Sequence, residues 1–276
     1  ALLEGDGVSI SVSRRQAAMP FSTKNVTADE VHYIVAGSAR LKTDFGSLAC
    51  KAGDFVLLPR ATGYRVTEVG EQFDTIVVAT PGELTIDPLP PRGVLNTGRA
   101  VSMPEIDTAP SAPEDTYEMV FRHKGATTSH FYDFDPLDIA TIAGPSPVKR
   151  FNISDVRSLN VSEGGMPPPR LINDSTDRTL LFHLGSRRSD RPPIHVNADY
   201  DELIVYAAGP APYGGMTDPG MMAWVPKGIP HHGAEEDTPE PYQAWLVETR
   251  AALDLTEAGR AIAQLMETGE YGIKQP

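Results

Sequence analysis

Residues Pro192–Gly209 read PPIHVNADYDELIVYAAG: a histidine, an asparagine and three acids lead directly into an apolar run. Leu203–Tyr206 has the composition of a buried strand. Asn197–Asp201 is rich in turn formers, whose short side chains bond to their own backbone. His195 and Glu202 are therefore expected on neighbouring antiparallel strands, where facing Cβ atoms lie roughly 5 Å apart. That leaves two readings, a polar turn entering a core strand or half of a metal site. A lone histidine at a strand end favours the first.

The stretch has a second copy. Phe21–Gly37, FSTKNVTADEVHYIVAG, lies over Pro193–Gly209 without a gap at an offset of 172, with Asn25 on Asn197, Glu30 on Glu202 and Gly37 on Gly209. Downstream, Gly53–Tyr64 (GDFVLLPRATGY) lies over Gly220–His231 (GMMAWVPKGIPH) at an offset of 167, matching Gly53 to Gly220 and Pro59 to Pro226. The five-residue difference belongs in the loop between the motifs. Such self-similarity indicates one supersecondary unit built twice.

The rest of the chain suits that plan. Val8–Val12, Val31–Val35, Phe55–Leu58, Phe73–Val78, Thr179–Leu184, Leu203–Tyr206 and Met221–Val225 are short apolar or alternating runs, punctuated by 24 glycines and 25 prolines. This is the pattern of all-β sandwiches and barrels. Helical spacing is confined to the tail, at Leu255, Ala258, Ala261, Ile262, Leu265 and Met266, with Gly269 as the stop. The stretch from Leu84 to Glu118 reads as a loop-heavy connection.

Composition excludes some partners. A net charge of −13 over 276 residues offers no basic surface for nucleic acid. Cys50 is the sole cysteine, so no intrachain disulfide can form and a reducing, cytoplasmic setting is expected. No apolar run approaches the ~20 residues that span a bilayer, and no signal-like apolar stretch opens the chain, so no membrane partner is expected.

The spacing His195-x-Asn197-x4-Glu202-x6-Gly209, followed by Gly220-x5-Pro226-x-Gly228-x2-His231, resembles the two sequence motifs of the cupin superfamily. With the repeat, this implies a bicupin, two double-stranded β-helix (jelly-roll) barrels plus the C-terminal helix. The expected organisation is an N-terminal barrel over 1–100, a connecting segment over 101–150, and a metal-binding barrel with the helix over 151–276. The resemblance makes His195, Glu202 and His231 the ligands of one Fe(II), a set of two histidines and one carboxylate that leaves open positions for substrate and O2. His231 is favoured over His232 by the Pro-x-Gly-x2-His spacing. His232 and Asn197 are then catalytic candidates, His232 as a pocket wall and Asn197 as a hydrogen-bonding turn residue. Asp199 and Asp201 read as solvated turn residues. In the N-terminal copy Thr23 and Tyr64 replace the histidines. Glu30 alone cannot hold a divalent ion against water, so that barrel is expected to be structural. His32 and His183 read as packed or hydrogen-bonded strand histidines, with a position facing the second pocket as the alternative for His183.

The middle of the chain narrows the resemblance. Met119–Gly144 (MVFRHKGATTSHFYDFDPLDIATIAG) and Lys149–Val156 (KRFNISDV) are similar to the segment linking the two halves of homogentisate 1,2-dioxygenases, with Tyr132-x3-Pro136-Leu137 as the shared element. This implies ring cleavage of a hydroxylated aromatic by Fe(II) and O2 in an expected homo-oligomer. The sequence departs from that family at Val225 and Pro193, where the family places a histidine and a tyrosine, so homogentisate itself is not expected. Tyr206, Tyr213, Trp224 and Arg170 are the candidate substrate-binding residues, with Arg187, Arg188 and Arg191 as further carboxylate anchors or a plain charged loop. Two other classes remain open, a metal-dependent isomerase or lyase that uses no O2 and a non-catalytic binding bicupin.

Overall fold

The computed structural model describes residues 1–86, 93–107, 111–138, 146–158, 168–188, 194–209, 216–231 and 237–265, with backbone alone at 93–94, 157–158, 187–188 and 237–240. The protein is mostly β and divides into two strand-built units. The N-terminal unit comprises 7–84 and 96–155; the C-terminal unit comprises 1–6, 85–95 and 156–276.

In the N-terminal unit the organising strand is Asp29–Thr43. Its first half pairs with Asp54–Leu58 and Phe73–Thr80, its second half with Gly46–Lys51 and Gly63–Thr67. A bulge between Ile34 and Ala36 marks the change of direction, as expected where one strand serves two sheets. Ile34, Leu41, Leu48, Val56, Leu58, Val66 and Phe73 fill the space enclosed. Cys50 lies in this core, its thiol pushed up to about 12 by burial and the nearby Asp54 charge, and is unreactive there.

In the C-terminal unit the strands run in the order Met222–Val225, Asp201–Ala208, Asp237–Thr249, Thr179–Arg188, Arg170–Asp174. Successive side chains on a strand face opposite ways. Ile204 and Tyr206 therefore share a face with Ala244, Leu246, Phe182 and Leu184, and form one apolar cluster. His183 pairs with Trp245 on the other face; it is 3% exposed, and burial pushes its imidazole down to about 4. It is a neutral core histidine directed away from the face of Glu202.

The repeat holds at the level of single hydrogen bonds. Gly53 N donates to Ile34 O and Gly220 N donates to Tyr206 O, each at 2.8 Å. Ala61 N donates to Asn25 O at 2.7 Å, as Gly228 N does to Asn197 O at 2.9 Å. Gly37, where Asp29–Thr43 passes from one set of partners to the other, and Gly209, just past Asp201–Ala208, stand at φ 79° and 92°. A Cβ on Gly209 would stand 2.6 Å from the backbone N and Cα of Tyr242. Gly209→Ala is expected to cost about 2 kcal/mol or more, read by thermal denaturation followed through tryptophan fluorescence, since Trp224 and Trp245 both lie in this unit. Ala61 holds φ 63° where its counterpart Gly228 has φ 85°. Ala61→Gly should relieve that strain and, net of chain entropy, stabilise the protein by about 0.5–1 kcal/mol in urea denaturation.

Two sequence expectations change. The segment 101–150 carries strands of the N-terminal unit: Tyr117–His123 and Ala126–Tyr132 form a hairpin about Lys124 and Gly125, both at positive φ, and Tyr117–His123 pairs in parallel with Ser22–Asn25. Lys124-Gly125 between alternating runs was the legible hairpin signal. The tail helix covers Glu257–Ile262 only, started by Thr256 accepting from Gly259 N. Its apolar positions gain little there, with Ile262 65% and Leu265 86% exposed. Met266 and Gly269 lie outside the described residues.

Candidate metal centre

The turn after Pro226 brings Pro230–His231 antiparallel to His195–Val196, with His195 directly opposite His231. The two rings are 4.4 Å apart, inclined at 53°. Glu202 reaches them from the strand Asp201–Ala208. One ligand atom from each of His195, Glu202 and His231 lies within 4.8 Å of the others. Among the described residues this is the one such group of three ligand-type side chains.

Alternation at the head of the strand divides two neighbouring acids between two tasks. Asp201, read from sequence as solvated, is 3% exposed. Its carboxylate accepts from Lys227 N at 3.0 Å, Leu253 N at 3.1 Å and Trp224 Nε1 at 3.3 Å. It clips the Pro226–Gly228 turn to the strand and so sets the approach of His231. Asp29 does the same in the N-terminal unit, accepting from Arg60 N and Leu84 N, each at 2.9 Å. Glu202 faces the other way. Asn197 Nδ2 donates to its Oε2 at 2.9 Å and orients the carboxylate.

His231 is held in one tautomer. Its buried ring contacts Ile229 O through Nδ1 at 2.9 Å; donation there leaves the lone pair on Nε2, which points toward Glu202 Oε2 at 3.5 Å. That distance is long for a hydrogen bond, and Nε2 is a buried polar atom with no hydrogen-bond partner. A buried imidazole nitrogen that makes no hydrogen bond and faces a carboxylate and a second imidazole fits a divalent ion. Ligands about 2.1 Å from one ion stand about 3 Å apart, and His195 is the exposed member of the three. Interaction with Glu202 raises the His231 pKa, so protons compete with an ion for this nitrogen.

The structure adds one group that the motifs did not supply. Glu248 sits directly across from Glu202 on the central strand. Burial, and then the charge of Glu202, push its carboxyl up to about 7. The available signal was a carboxylate at an inward position of an apolar strand, AWLVET, in register with Ala244 and Leu246. Two facing carboxylates make this face attractive to a cation.

The proposed pocket residues scatter. Val225 stands opposite Glu202, placing an apolar side chain beside the ligands. Trp224 pairs with Leu203, on the face of Asp201, to which it donates. Tyr206 shares the face of Glu202 but is buried in the apolar cluster, its hydroxyl donating to Gly209 O. Arg170 lies 3.7 Å from Asp177. Asp199 is exposed. His232, Tyr213, Pro193 and Arg191 lie outside the described residues, and Arg187 and Arg188 are described in backbone only.

No protein-family model matches the chain. It is 22% identical over 222 residues to the "Putative dioxygenase" of Saccharolobus solfataricus, covering 76% of this chain and 57% of that protein. The chain thus spans little more than half the length of this curated relative. Among solved structures, a cupin 2 conserved barrel domain protein from Leptotrichia buccalis is 12% identical with a TM-score of 0.42, covering 92% of this chain and 86% of that one. A cupin protein from Bacteroides fragilis is 16% identical with a TM-score of 0.25, covering 27% of this chain and 65% of that one. Among the described residues no helix is long and apolar enough to cross a membrane.

Proposed function

We propose that the chain is a bicupin oxygenase, holding one Fe(II) on His195, Glu202 and His231 and cleaving a hydroxylated aromatic of the hydroquinone class with O2. The observation that carries this reading is the convergence of two imidazoles and one carboxylate within 4.8 Å at one end of the C-terminal unit. When bound, the ion supplies a Lewis acid with open positions for a phenolic oxygen and for O2. The protein's part is positioning. Ile229 O fixes the His231 tautomer, Asn197 fixes the Glu202 carboxylate, and Asp201 fixes the turn between them. Val225 and the Ile204 cluster give the ligand face an apolar lining suited to a ring. The distant relationship to a protein named as a dioxygenase agrees with this chemistry.

Metal analysis of anaerobically purified protein, paired with O2 uptake over hydroquinones, catechols and salicylates, tests the reading. One iron per chain and O2-dependent turnover are expected, with loss of both on chelation. Equal turnover without O2 would replace the oxygenase with a Lewis-acid isomerase or lyase. Absence of stoichiometric metal would leave a binding role.

A further inference from the structure

The positions of His195, Glu202 and His231 have counterparts in the N-terminal unit at Thr23, Glu30 and Tyr64. The backbone is arranged alike. Thr23 faces Tyr64 across an antiparallel pair as His195 faces His231. Asn25 Nδ2 donates to Glu30 Oε1 at 2.9 Å, the distance seen between Asn197 and Glu202. Leu58 stands opposite Glu30 as Val225 stands opposite Glu202.

The guanidinium of Arg122 lies among the three. Each of its nitrogens reaches a different member of the set: Nη1 is 2.8 Å from Glu30 Oε1, Nε 3.2 Å from Thr23 Oγ1 and Nη2 3.4 Å from the Tyr64 hydroxyl. His32 Nε2 takes the other Glu30 oxygen at 3.0 Å. Parallel pairing with Ser22–Asn25 puts Arg122 opposite Asn25 and delivers the side chain to this spot.

We propose that the N-terminal unit keeps a cation-holding site and that the Arg122 guanidinium is its resident cation, in the place that the metal takes in the C-terminal unit. The exchange of donors is chemically consistent. Imidazole nitrogens offer lone pairs to a divalent ion, whereas threonine and tyrosine oxygens accept the N–H groups of a planar, permanently charged fork. Without the guanidinium, Glu30, 2% exposed, would be a buried carboxylate left to Asn25 and His32. The site is thus specific for a guanidinium-type cation. Equivalence with the metal rests on the function proposed above; occupancy by a guanidinium rests on this unit alone.

The test is chemical rescue in the full-length protein. Arg122→Ala is expected to lower hydrogen-exchange protection of Ser22–Asn25 by about tenfold or more. Low-millimolar guanidinium chloride should restore it saturably, sodium chloride should not, and the further substitution Glu30→Gln should abolish the rescue. Undiminished protection in Arg122→Ala, or restoration by sodium chloride as well as by guanidinium, would overturn the proposal. Should the variant not fold alone, folding on addition of guanidinium supports the site and failure to fold with it overturns it. A second arm addresses equivalence with the metal. Thr23→His/Tyr64→His/Arg122→Ala should bind one more equivalent of divalent metal than the same double-histidine variant retaining Arg122, and equal stoichiometry would refute the equivalence. If wild-type protein binds no metal while rescue succeeds, the C-terminal reading fails and the guanidinium site stands.

Discussion

His231→Ala protein, purified anaerobically, is expected to retain almost no iron and to lose O2-dependent turnover by about 100-fold or more, whereas His232→Ala keeps its iron. Register is the reason. His231 is the residue that stands opposite His195, and its Nε2 points at Glu202 Oε2 from 3.5 Å. Removing His231 leaves one exposed histidine and one carboxylate, which water outcompetes for a divalent ion. Atomic absorption on the two variants separates the residues without reference to activity. Iron loss in His232→Ala with retention in His231→Ala would reverse the ligand assignment.

The parts of this arrangement legible in sequence are those fixed by local backbone demands. Gly37 and Gly209 recur because equivalent positions need a left-handed residue, and a Cβ there would press on the backbone of Gln72 and of Tyr242. Asn25 and Asn197 recur because each orients the glutamate five residues on. What escaped reading depends on distant partners. Asp201 has the composition of a turn residue, yet one of the groups it binds is Leu253 N, 52 residues away. Arg122 lies in a stretch that resembled a linker, and only a parallel pairing nearly a hundred residues long in sequence reveals its partners. Trp224 was picked for its ring, but strand alternation sends it to the face opposite Glu202. The tail helix showed the right spacing, but Ile262 and Leu265 are left exposed, and spacing alone stabilises little.

Glu30→Gln should destabilise the N-terminal unit by about 3 kcal/mol at neutral pH, and the deficit should shrink as the solution is acidified. Burial by itself would raise the Glu30 carboxyl. The His32 hydrogen bond and the charges of His32 and Arg122 outweigh burial and hold it down at about 2, against an ordinary value of 4.5. A carboxyl whose folded pKa is depressed contributes stability that is fully present above the unfolded value and disappears as pH falls through the folded one. The contribution is therefore intact above pH 4.5 and lost toward pH 2. Glutamine keeps the shape and one acceptor but leaves Arg122 beside a neutral group. Fluorescence is silent here, because both tryptophans belong to the C-terminal unit. Hydrogen exchange across Asp29–Thr43, with urea as the perturbant, reads the N-terminal unit directly. A deficit that stayed constant between neutral pH and pH 3 would assign the loss to packing and detach Glu30 from its cation.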